Sequence, residues 1–189
     1  MEAAPVCTIA EGFKIRAYQA GDGAALATAA NASFQHLRPW MPWATGQHTA
    51  EQSEEYIVTS MHGYAVKTDF GLGIWKGDHL VGGTGFHLRW GPIEWGVAEI
   101  GMWIAAHEAG SGLGTAALRA MLDWGFTDWG WHRLIWRCNM DNYASARVAE
   151  KCGLTQEALL REDRKNVAGD RVSTKLYAII RSDWEASRP

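Results

Sequence analysis

Phe13, Ile15 and Ala17 alternate with Lys14, Arg16 and Tyr18, the two-residue period of a strand with one buried face. Gly21-Asp22-Gly23 breaks that run, and an alanine-rich stretch from about 24 to 34 follows as a helix. The two prolines in Leu37-Arg-Pro-Trp-Met-Pro-Trp43 exclude regular structure there. Thr49, a good cap residue with acids in the turn after it, starts a second helix over about 50 to 62. From Phe70 the pattern becomes short β-like runs: Gly71 to Trp75 and Leu80 to Phe86 form a hairpin around Gly77-Asp78. A third run, Val97 to Ala105, leads into Gly110-Ser-Gly-Leu-Gly-Thr115. After it Ala117, Leu118, Met121, Leu122 and Phe126 recur at helical spacing. A strand near Arg133 to Asn139, a helix from about Asn142 to Lys151 closed by Gly153, and a late strand from about Thr174 to Arg181 complete the chain. The order β-α-α-β-β-β-α-β-α-β-β predicts an α/β protein with a mixed sheet, one domain over 1–189 whose first dozen residues are loose.

With 189 residues, 47% hydrophobic and 21% charged, the chain can bury a core of its own, which argues against disorder, collagen-like repeats and coiled coil. A net charge of -3 lacks the basic excess that neutralises phosphates, so no nucleic-acid partner is expected. The acid in MEAAPVCTIA argues against a secretory signal, and no apolar run approaches the roughly 20 residues of a membrane span. The reading is cytoplasmic, with no membrane partner. Cys7, Cys138 and Cys152 are an odd set without CxxC spacing, which fits a reducing compartment. The seven histidines form no HExxH or clustered pattern, so no metal is expected. Trp40, Trp43, Trp90, Trp95, Trp129 and Trp131 follow turn signals or end apolar runs. Their default role is core and rim packing, with a few as candidates for an acceptor pocket.

A strand that stops at glycines and restarts as a helix presents unpaired backbone N–H groups at the positive end of the helix dipole, where phosphate is at home. Gly110, Gly112 and Gly114 allow close approach and Thr115 adds a hydroxyl. A Walker loop would need a lysine that is absent, and GxGxG is not the Rossmann GxGxxG. The glycines alone leave a structural turn and a phosphate loop equally open.

Joint spacing narrows the choice. Ala109-Gly-Ser-Gly-Leu-Gly-Thr-Ala-Ala-Leu118 resembles the acetyl-CoA pyrophosphate loop, Q/R-x-x-G-x-G/A, of the GNAT superfamily of N-acetyltransferases. Asn142-Tyr-Ala-Ser145 with Val148-Ala-Glu-Lys-Cys-Gly-Leu154 resembles the N-x-x-S and E-K-x-G-F elements of its RimJ/RimL-type subgroup, and Leu37 to Trp43 with Thr49-Ala-Glu resembles that subgroup's acceptor-side region. The likeness runs from about Phe13 to Trp184.

The resemblance implies a single GNAT domain with splayed central strands, acetyl-CoA as co-substrate, and acetyl transfer directly to a primary amine. The acceptor it favours is a protein N-terminal α-amine. An amine-bearing small molecule, such as an antibiotic or aminoacyl-nucleotide, is the alternative, and a CoA-binding regulatory protein without turnover is a third reading. A homodimer stays open. Implied cofactor contacts are Met102, Trp103 and Ile104 through exposed backbone; Ala109, Gly110, Ser111, Gly112, Leu113, Gly114 and Thr115 around the diphosphate; and Asn142 and Ser145 toward the thiol end. Ser145 is the candidate acid for the leaving thiolate, with helix capping as its plainer role; Asn142 caps that helix, holds the pantetheine amide, or both. Glu99, Glu162 and Asp163 compete as general base, and His87 and His107 are further titratable groups. Cys138, among apolar neighbours, reads as a small buried hydrophobe before it reads as a covalent nucleophile. The Glu51, Glu54 and Glu55 face reads as solvated before it reads as a dock for a basic acceptor. Four departures stand out: Ala109 replaces Gln or Arg, Ala149 stands where many relatives have Tyr, Leu154 replaces Phe, and Ser173 sits where relatives often carry an Asp before the last strand.

Overall fold

The alternation at the N-terminal end becomes strand β2 (Phe13–Ala17), and the stretch before it, expected to be loose, carries a strand of its own, β1 (Val6–Ala10). Val6, Cys7 and Thr8 pair with Arg16, Ile15 and Lys14, and Cys7 and Ile9 pack against the main core. Tertiary contact fixes a segment too short to signal itself. The computed structural model describes residues 6–10 and 12–188, so the expectation for 1–5 and 11 lies outside the described residues.

Helices α1 (Gly23–Ala32), α2 (Phe34–Leu37) and α3 (Ala50–Ala65) come next. The α3 start is fixed by a capping box: Thr49 Oγ1 accepts from the Gln52 N–H while Gln52 Oε1 accepts from the Thr49 N–H, both at 3.1 Å. Strands β3 (Asp69–Lys76), β4 (His79–His87) and β5 (Val97–Ile104) then run antiparallel in sequence. Helix α4 (Leu113–Thr127), strand β6 (Arg133–Asn139) and helix α5 (Tyr143–Lys151) follow. Strands β7 (Thr155–Lys165) and β8 (Arg171–Ile180) and a short α6 (Arg181–Ala186) close the fold.

The eight strands form one open mixed sheet in the order β1-β2-β3-β4-β5-β6-β8-β7, with β5 and β6 the parallel pair. Apolar positions of α4 and α5 (Leu118, Met121, Phe126, Ala146, Ala149) cover one face, packing on Leu72, Phe86, Ile100, Leu134 and Trp136. On the other face Leu26 and Ala29 of α1 and Ile57 of α3 pack with Tyr18, Trp75, Leu80 and Trp103. No described helix is long and apolar enough to cross a membrane.

Candidate active site

The ladder between β5 and β6 holds only three register pairs and ends at Glu99 opposite Ile135. Beyond it β5 stays on β4 as far as Ile104 opposite Gly82, and β6 stays on β8 as far as Asn139 opposite Thr174. Each central strand keeps its outer partner while the two part from each other, leaving a wedge with free backbone groups on both sides. The Ala105 N–H donates to the Val81 carbonyl at 2.8 Å, which sets the alternation: Ala105, Trp103 and Gly101 turn their backbone groups to β4, and Met102 and Ile104 turn theirs into the wedge. Thr84 Oγ1, donating to the Gly101 carbonyl at 2.8 Å, agrees with that register. Trp103 is therefore a correction. Its backbone belongs to the sheet, and its indole lies on the α1 and α3 face, 5.7 Å from the Trp43 ring.

At the wide end of the wedge the chain turns into α4 through the glycine loop. Gly110 (φ +79°) and Gly112 (φ +93°) adopt backbone conformations that side chains resist, and a Cβ on either would meet nothing within 4 Å. Ser111 Oγ is used by the turn itself, donating to the Glu108 carbonyl at 2.7 Å and accepting from the Leu113 N–H at 3.3 Å. Gly112 caps α4 without a side-chain bond, and the N–H groups of Gly112, Gly114 and Thr115 find no acceptor among the described residues. A Cβ on Gly114 would make ordinary contacts with Ile104 and Val148, at 3.7 and 3.8 Å. The nearby Lys76 is held by Glu108 at 2.8 Å, and Ala109 supplies no charge, so an anion here meets backbone N–H groups and the dipole of a 15-residue helix.

Across the wedge Asn142 caps α5, its Oδ1 accepting from the Ser145 N–H at 3.1 Å. Ser145 Oγ accepts from Trp136 Nε1 at 3.0 Å, which leaves its own hydrogen free to donate. Cys138 lies beside it. Burial pushes that thiol up, with the Ser145 hydroxyl and the charges of Lys175 and Arg164 opposing more weakly, so a resident thiolate is disfavoured. Ala149 is fully buried and supplies no phenol. The Tyr177 phenol is pushed up to about 12, first by burial and then by the Glu150 carboxylate that it bonds at 3.1 Å, so it stays protonated at neutral pH.

The opposite face of the sheet differs in kind. The Glu99 side chain is 5% exposed and binds Arg89 Nη1, Trp90 Nε1 at 3.2 Å and Arg137 Nε at 2.8 Å, so both oxygens are occupied where the strands part. Glu162 and Asp163 are exposed on a bulge of β7 between Leu160 and Arg164, where Glu162 takes φ +51° and its N–H donates to Ser173 Oγ at 3.1 Å. They do not meet Glu99; their neighbours Arg164 and Lys165 line a small crevice with Trp40, Pro42 and Asn139 instead. Glu54 accepts from the Gly21 and Gly23 N–H groups at 2.7 and 2.8 Å, tying α3 to the start of α1 instead of docking a partner. Of the tryptophans, Trp129 and Trp131 stack at 6.2 Å in the core, while Trp43 and Trp90 stay partly exposed. His87 Nδ1 bonds the Asp69 carboxylate at 2.6 Å, a pair that no sequence spacing announced because it forms across the hairpin register. A groove of about 450 Å³ between β1 and α4, lined by Asp123, Asp128 and Arg119 among others, lies away from the wedge. No cluster of potential metal ligands occurs among the described residues.

A mixed sheet that parts its central strands beside a glycine-led helix defines an acyl-carrier-binding transferase fold. Residues 13–155 match the model of the acetyltransferase (GNAT) domain, and the chain belongs to that family. It is 26% identical to YdaF of Bacillus subtilis (strain 168), over 96% of this chain and 98% of that one. It is 29% identical to the ribosomal-protein-serine acetyltransferase of Escherichia coli (strain K12), over 76% of this chain and 80% of that one. Among solved structures, RimJ of Mycobacterium smegmatis in complex with CoA-disulfide superposes with a TM-score of 0.84 at 25% identity, covering 98% of this chain and 89% of that one.

Proposed function

We propose that this chain transfers an acetyl group from acetyl-CoA directly to a primary amine, with a protein N-terminal α-amine as the acceptor. The observation that carries the reading is the wedge: β5 and β6 part after Glu99 and Ile135 beside the uncapped, glycine-led start of α4. The diphosphate is held by N–H groups of Gly112, Gly114 and Thr115, and the pantetheine adds to the free edge of β5 at Met102 and Ile104 as a strand would. A wedge-facing N–H there donates to the thioester oxygen as it gains charge. The amine nitrogen bonds to the carbonyl carbon, the C–S bond breaks, and the Ser145 hydroxyl, held by Trp136, donates to the departing sulfur. A free α-amine has a pKa near 8, so only a modest base is needed. The names of relatives such as the Escherichia coli ribosomal-protein-serine acetyltransferase support a ribosomal-protein N-terminus as that amine.

One observation favours a second acceptor class. Arg89 and Arg137 bring two charges to the single Glu99 carboxylate, and Trp90 is partly exposed beside Arg137, whose guanidinium lies 5.9 Å from its ring centroid. A planar, anionic amine such as an aminoacyl-nucleotide suits that surface. CoA release measured over peptide N-termini and small amines tests both: faster turnover of peptides supports the first reading, and CoA binding without turnover of any amine supports a regulatory protein. Ser145→Ala is expected to lower kcat by about tenfold to a hundredfold while the Kd for acetyl-CoA changes less than threefold. Unchanged kcat removes Ser145 from the acid role.

A further inference from the structure

On the face opposite α4 the centre of the sheet is built of glycines, the first of them, Gly71, covered by Ser60 and Tyr56 of α3. Gly71 on β3 is the register partner of Gly85 on β4, and Gly85 is that of Gly101 on β5, so three positions in a row lack side chains. His87 fills part of this strip. A Cβ on Gly85 would meet its Cε1 and Nε2 at 3.2 Å, and a Cβ on Gly101 would meet Nε2 at 2.9 Å and Cδ2 at 3.2 Å. The ring therefore covers Gly85 and Gly101, the latter one residue before Met102, whose own backbone faces the wedge.

Its orientation is fixed. Nδ1 bonds Asp69 Oδ1 at 2.6 Å, and because an ionised carboxylate only accepts, the neutral ring beside it carries its hydrogen on Nδ1 and its lone pair on Nε2. Nε2 has no hydrogen-bond partner among the described residues. Four other charged or titratable groups lie around the pair. Glu99 is the cross-strand partner of His87 but is occupied by Arg89, at the exit of the same strand, and Arg137, from β6. Tyr56, from α3, is held up by burial and by the charge of Asp69, so it is neutral. Asp69 is thus the carboxylate left to stabilise an imidazolium.

We propose that His87 is the general base of the transfer, its Nε2 receiving the proton of the acceptor amine, with Asp69 as its positioning residue. The proposal rests on the acetyl-transfer reading above. As the N–C bond forms and the C–S bond breaks, the three hydrogens of an incoming ammonium separate. One stays in the amide, one ends on the sulfur by way of Ser145, and one leaves through Nε2 to solvent beside the half-exposed Asp69. Glu99 then organises the fork of the strands without exchanging protons.

The test is steady-state kinetics of the full chain with acetyl-CoA and its best amine, across pH, with calorimetric acetyl-CoA affinity for each variant. His87→Gln is expected to lower kcat/KM by about a hundredfold to a thousandfold at neutral pH, to abolish the acid-side limb of its pH profile, and to leave acetyl-CoA affinity within about threefold. His87→Ala should regain activity with added imidazole, which a merely structural residue would not. Asp69→Asn should show a loss of about tenfold with the limb displaced, and Gly101→Ala, whose methyl displaces Nε2, a loss close to that of His87→Gln. Wild-type turnover matched by His87→Gln with the limb intact overturns this proposal alone. Wild-type turnover of no amine overturns the acetyl-transfer reading and this proposal with it.

Discussion

The two faces of the wedge are made of different material. On the proposed cofactor side the candidate groups are backbone: the N–H groups at the start of α4 and the free edge of β5, exposed because two glycines hold φ near +79° and +93° and because the β5–β6 ladder stops. On the proposed acceptor side they are side chains from separate elements, with Asp69 from β3, His87 from β4, Glu99 from β5 and Arg137 from β6 brought together by register. Backbone geometry is specified by a short run of residues. A side-chain cluster is specified only when the whole sheet is in register.

That difference predicts where stability and binding separate, and the largest effect should fall on the acceptor side. Glu99→Gln leaves two guanidiniums facing each other where the strands part. Breaking a buried ion pair costs about 3–5 kcal/mol. Arg89 and Arg137 are 53% and 32% exposed, which lowers the expected loss to about 2–3 kcal/mol in urea unfolding. Acetyl-CoA affinity should change little, because the carboxylate faces away from α4. A variant that keeps its stability and loses turnover would return Glu99 to the role of base and move His87 out of it.

A smaller effect, of the opposite kind, is expected at Gly112. Alanine there costs about 1–2 kcal/mol of backbone strain, and its methyl enters the open space before the helix N–H groups. The Kd for CoA should rise about tenfold to a hundredfold by calorimetry, with the acceptor-side cluster and its contribution to stability intact. Equal losses of stability and affinity would mean that the loop is a plain turn.

The same contrast accounts for what could be read from the chain. The loop at 110–115, the capped helix at Asn142 and the position of Ser145 lie within contiguous motifs, and periodicity placed β2, α3, β4 and α4 within a few residues. Alternation along β5 has two phases, so the pattern alone leaves Trp103 with Met102 and Ile104, and only the bond from the Ala105 N–H to the Val81 carbonyl selects one phase. β1 escaped because five residues have little intrinsic preference before β2 and α4 receive them. The partners of Glu99 lie 9, 10 and 38 residues away in sequence, beyond any local pattern. Nor could spacing reveal that Glu54, in a face of acids, closes the start of α1.

The smallest effect expected is a gain, at the one place where the loop departs from its family's pattern. Ala109 has φ -66° and ψ 139°, extended backbone that any side chain adopts, so Ala109→Arg adds a guanidinium without strain. It would stand beside the positive end of α4, where the proposed contacts are backbone N–H groups and the neighbouring Lys76 is bound to Glu108. A charge-assisted bond to an exposed phosphate contributes about 1 kcal/mol, so CoA should bind about fivefold tighter at low salt. Most of that gain should disappear at high ionic strength, as screening of a surface pair requires. Turnover at saturating acetyl-CoA should stay the same, since the diphosphate is remote from the reacting carbon. A tighter complex with unchanged kcat keeps the two sides of the wedge independent. A change in kcat would show that the position of the diphosphate is transmitted to the acceptor face, and that the boundary between backbone-built and side-chain-built halves is mechanically coupled.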